Sequence, residues 1–196
     1  MVKYTKEFFV SNKININGND EWDIINFSSI FLKKYKADEA EKGIILSYAN
    51  ALDCITDSLL KQNHSNSAKI KIEIKRNSLT IPFIFLARHT VELTLKFFCK
   101  CLNIKHKPNH KLMDLWNAIM ENHHESNFIQ NDKIEDIRIF ISALEELDND
   151  GCHARYSKNN RGELYNPTPQ YINAKNINNF IQNSLINLVN SMDKNN

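Results

Sequence analysis

Arg88, His89 and Glu92 stand within five residues of one another in an apolar stretch, and Lys96 follows one helical turn later. At ~100° per residue, Arg88, Glu92 and Lys96 at i, i+4 and i+8 fall on one face of a helix. Guanidinium, imidazole, carboxylate and ammonium groups in that register could cleave a phosphodiester without a metal. Such cleavage needs a base for the 2′-hydroxyl, an acid for the leaving oxygen and cations for the developing phosphorane charge. In this reading Arg88 and the later Arg155 grip the phosphate by bidentate contact, and Glu92 orients an arginine or histidine. His89 or His153 serves as base, Tyr156 stacks a base or donates to an oxygen, and Lys96 and His110 complete the substrate side. The catalytic candidates are thus Arg88, His89, Glu92 and Arg155; the substrate-binding candidates are Lys96, His110, His153 and Tyr156. The alternative is structural: Arg88 pairs with Glu92 and with loop carboxylates such as Asp148 or Asp150, and the charged seam fastens a long loop to the bundle.

Other chemistries have weaker support. His106 and His110 are separated by Pro108, so they do not share a helical face, and no HExxH or paired-cysteine spacing accompanies them; no metal is expected. Cys99 and Cys101 fall in an apolar helix, where thiols are usually inert. The tandem His123 and His124 at a helix end suit its dipole. The only glycines are Gly18, Gly43, Gly151 and Gly162, which form no phosphate-cradling loop, and no cofactor is expected.

The elements that must position these side chains are helical. Ser78 to Asn103 reads as one long, mostly apolar helix, capped by Ser78 or Thr80, with Pro82 in its first turn. Before it, Ala40, Ile44, Ala51, Ile55 and Leu59 recur at helical spacing within 37–62. Ile70, Ile72 and Ile74 alternate with Lys69, Lys71, Glu73 and Lys75, which suggests a short extended segment near 69–75. Pro108 breaks the chain, and Asn109 can cap a helix bearing Leu112, Leu115, Trp116 and Ile119. A further helix starts at Asp132 as cap and runs to about Leu147. A polar loop with His153, Arg155 and Tyr156 leads to a closing helix over 174–192. The fold expected is all-α, an antiparallel helical bundle over 37–196, with residues 1–36 as an N-terminal arm or small extra motif.

Composition agrees. The 196 residues suit one main core, and with only four Gly and four Pro a many-stranded β architecture lacks its turns. A formal net charge of +2 offers no global attraction to nucleic acid, so any basic site must be local. Four cysteines without CxxC spacing suggest a reduced, cytoplasmic chain. The N-terminus MVKYTKEFFV lacks the apolar run of a signal peptide, and no ~18-residue apolar stretch suggests a membrane partner.

Three pieces in order, IPFIFLARHTVELTLK, NHKLMDLW and DNDGCHARY, span about residues 79 to 157. Together they resemble the HEPN-like helical class of bacterial defence, abortive-infection and toxin systems, with its Arg-His-x-x-Glu-Leu helix, His-x-Leu and Arg-Tyr elements. The resemblance implies an all-α bundle, a homodimer, and a component that binds and in some members cleaves RNA without metal. The alternative to that reading is noncatalytic, a dimerising scaffold or interaction module for a partner effector. Ribonuclease members of the superfamily carry Arg followed after four to six residues by His. Here Arg88 meets Leu93, Thr94 and Leu95 at those offsets, and Arg155 meets Asn160, Arg161 and Gly162. Enzyme activity is therefore left open by the sequence.

Overall fold

A computed structural model describes residues 37–61, 69–122, 128–148 and 172–192. The chain divides into Met1–Ala40 and Glu41–Asn196, and the helical bundle belongs to the second unit. Its elements in order are α1 (Ala37–Lys61), α2 (Lys69–Cys101), α3 (Leu112–Glu121), α4 (Asn131–Leu147) and α5 (Ala174–Phe180). A π-helical stretch, Ile181–Ile186, continues α5 into α6 (Asn187–Ser191). Among the described residues there is no strand, and the expected all-α bundle is what the chain builds.

α2 is the hub. It packs against α3, α4, α5 and the π-helical stretch, while α3 also packs on α4. From Ala87 to Cys99 most of its circumference is sealed: Ala87, Val91, Leu95, Phe98 and Cys99 are fully buried, and so are Thr90 and Thr94. Leu112, Leu115, Trp116 and Ile119 give α3 one buried stripe, matched by Ile137, Ile141 and Leu144 on α4. Burying each such side chain contributes about 1.5–3 kcal/mol.

Several boundaries differ from those expected. The segment 69–75 is not extended: its backbone is the start of α2. Alternation over seven residues is compatible with either state, and Lys and Glu are good helix formers. A strand would also need a neighbour for its N–H and C=O groups, whereas a helix satisfies them within the segment. Pro82 consequently lies inside the helix rather than in its first turn.

α2 ends at Cys101, before Pro108 can break it. Asn103 adopts φ 53°, with its N–H on the Lys100 carbonyl and the Ile104 N–H on the Cys99 carbonyl. This is a Schellman closure with asparagine in the left-handed position. Asn109 does not cap α3. Lys111 holds that position, Asn109 Oδ1 accepts from the Lys111 N–H at 3.2 Å, and the Met113 N–H finds Glu145 Oε2 on α4 at 2.7 Å. α4 begins after Gln130, which puts Asp132 in the first turn instead of at the cap. There its carboxylate still complements the positive helix end.

Candidate functional site

Arg88 is the buried centre of the charged seam, only 2% exposed. Its Nη1 donates to Glu92 Oε2, one turn along α2, at 3.0 Å. Its Nε donates to the Asp148 carbonyl at 2.6 Å, and its Nη2 to the His110 carbonyl. One guanidinium therefore joins three places: α2, the residue just ahead of α3, and the C-terminal end of α4. The last contact puts a cation where the α4 dipole is negative.

Glu92 is 4% exposed and fully engaged. Opposite the Arg88 contact, its Oε1 accepts from Lys96 Nζ at 2.6 Å and from His110 Nδ1 at 2.7 Å. Burial pushes its carboxyl upward, but hydrogen bonds and charge from Lys96 and His110 outweigh this and hold it below the usual carboxylate range. An ionised carboxylate only accepts, so Nδ1 of His110 is the donor in this contact. The His110 side chain is 60% exposed, and Lys96 is 32% exposed. The Schellman turn at Asn103 reverses the chain so that His110 returns alongside the helix that carries Glu92.

His89 is not part of this cluster. It packs edge-on against Tyr48 of α1, with ring centroids 4.7 Å apart, and stacks on Phe85 at 5.4 Å. One residue along a helix is a turn of about 100°, which carries His89 to the α1 side. The structure thus brings together Arg88, Glu92, Lys96 and His110 and separates His89 from them. Arg155, His153 and Tyr156 lie outside the described residues, as does Asp150. Among the described residues no three His, Cys, Asp or Glu side chains converge as metal ligands.

Chemically, the arrangement contains a sealed ion pair and a wet imidazole. Each nitrogen of Arg88 donates one hydrogen bond to the chain's own oxygens, three of its five N–H groups, so its guanidinium clasps three parts of the chain together. His110 is held by a carboxylate on one nitrogen and faces solvent, the geometry of a proton acceptor. Sequence reasoning could see Glu92 at i+4 from Arg88. It could not see the His110 and Asp148 carbonyls, because backbone acceptors carry no residue-type signal. The sequence points to Asp148 for its carboxylate, whereas the contact with Arg88 Nε uses its carbonyl.

Comparison with family models, curated proteins and solved structures finds no match to this chain. Among the described residues no helix is long and apolar enough to cross a membrane.

Proposed function

We propose that the chain is a HEPN-like component of a bacterial defence or toxin-type system that works as a noncatalytic interaction module, dimerising or scaffolding a partner effector. The observation that carries this reading is the burial of Arg88 with all three nitrogens bonded to Glu92, His110 and Asp148. An arginine that binds a phosphoryl group has to present donors to it, whereas Arg88 is sealed, and withdrawing it would leave Glu92 Oε2 and two carbonyls without their donor. Light scattering of the purified protein and affinity capture from its native host test the proposal. A stable dimer or a retained partner complex is expected, with intact RNA after incubation. A monomer that retains no partner, or turnover of RNA, argues against it.

A second reading is RNA binding with cleavage, favoured by the exposed His110 imidazole on ionised Glu92 beside half-buried Lys96. In that case His110→Ala abolishes metal-free cleavage while the protein stays folded. Wild-type protein that leaves RNA intact excludes it.

A further inference from the structure

A cavity of about 330 Å3 opens between α1 and the second half of α2. Its floor is apolar: Ile44 and Ile45 from α1 face Leu93 and Phe97 from α2. Lys96, Lys100, Glu41 and His106 stand around this floor. The volume lies at the lower end of the range for small-molecule pockets, ~300–1,000 Å3.

The two ammonium groups differ in how they are held. Lys96 Nζ is 2.6 Å from buried Glu92, so it is oriented by a carboxylate that solvent hardly reaches. Glu92 occupies one of its three N–H donors. Lys100 Nζ meets Glu41 at 2.8 Å, and these side chains are 43% and 46% exposed. An ion pair that open to water contributes little, and an ammonium carries three N–H donors. Lys96 and Lys100 are one turn apart on α2, close enough for one anionic head to face both. We propose that this groove is a binding site for a small amphipathic carboxylate, with its apolar body on Ile44, Ile45, Leu93 and Phe97 and its head between Lys96 and Lys100.

Charge complementarity selects this occupant. A neutral apolar molecule leaves the lysines with what they already have, and a cation meets two lining lysines against one lining carboxylate, Glu41. The volume, at the lower end of the small-molecule range, suits a small acid. The inference does not rest on the interaction-module reading and survives if that reading fails.

Calorimetric titration of the full chain with octanoate tests it, using 3-phenylpropanoate as the aromatic acid and 1-octanol as the neutral comparator, all below aggregating concentrations. Saturable one-to-one octanoate binding is expected, with octanol weaker by about tenfold or more, the worth of a charge-assisted hydrogen bond. 3-Phenylpropanoate should compete with octanoate for the one site, and independent binding of the two would overturn the proposal. Lys96→Met and the solvent-exposed Lys100→Glu should each weaken octanoate by about tenfold while the far-ultraviolet circular dichroism stays unchanged. Equal binding of octanol and octanoate, octanoate affinity unchanged in both lysine variants, or no saturable signal at millimolar octanoate would overturn the proposal. So would a dimer lost in Lys100→Glu without any octanoate binding, which would assign the groove to a second copy.

Discussion

His110 Nδ1 lies 2.7 Å from Glu92 Oε1, although the His110 side chain is 60% exposed and that of Glu92 only 5%. The pair leads from solvent to the core of the charged seam. Because Arg88 also takes the main-chain carbonyl of His110, the same residue is held twice, by its ring and by its backbone.

Removing the ring separates these two ties. His110→Ala keeps the carbonyl for Arg88 and deletes one donor to Glu92, so the expected loss at neutral pH is small, about 1 kcal/mol or less in urea unfolding. Acid unfolding should move to higher pH at the same time, since a hydrogen bond that lowers the Glu92 carboxyl is gone. Circular dichroism along a pH titration reads both effects.

Glu92 itself sets a pH dependence. Its carboxyl is held below the ordinary value in the folded chain, so the folded state binds fewer protons there than the unfolded state does. The corresponding stability is present above the ordinary carboxylate range and is lost as pH falls through the folded value. Urea midpoints measured from pH 7 to pH 3 should therefore fall on the acid side. In Glu92→Gln that slope should flatten, from a starting midpoint already lowered by the loss of the ion pair.

The cysteines provide an independent check of α2 packing. Cys99 is fully buried, and burial pushes its thiol up to about 11, whereas Cys54 and Cys101 are exposed. In a Cys152→Ser background, a thiol-reactive dye at pH 8 should label two groups rapidly and the third only on unfolding. Rapid labelling of all three in the native protein would contradict the burial of Cys99 in α2.

Much of the fold was legible in the sequence because helical spacing of large apolar residues survives without tertiary knowledge. Leu112, Leu115, Trp116 and Ile119 mark the buried stripe of α3 on spacing alone. The segment 69–75 is not legible as helix, because seven alternating residues fit both a strand and a helix end. The end of α2 was placed close to Cys101, but its cause is the left-handed conformation of Asn103, not Pro108. At the site, the i, i+4 pairing of Arg88 with Glu92 was readable, and so was the structural role as an alternative to catalysis. The separation of His89 was not, since it depends on Tyr48 from another helix and on Phe85 one turn away. Neither were the polar ties of α1 to the last helical segment, Asn178 to Asp53 at 2.7 Å and Gln182 to the Ala49 carbonyl at 3.0 Å, which join residues more than a hundred positions apart.

The assignment of Arg88 as a clasp rather than a catalytic group is tested most directly by the unfolding midpoint of Arg88→Met in urea. This substitution leaves Glu92 without its buried partner and the His110 and Asp148 carbonyls without their donor. A loss of about 3 kcal/mol or more is expected, the cost of breaking a buried ion pair on one side. A midpoint equal to or above that of the wild-type chain would contradict the assignment, because it would mean that the Arg88 charge is held in the interior at the expense of stability, as a site for substrate requires.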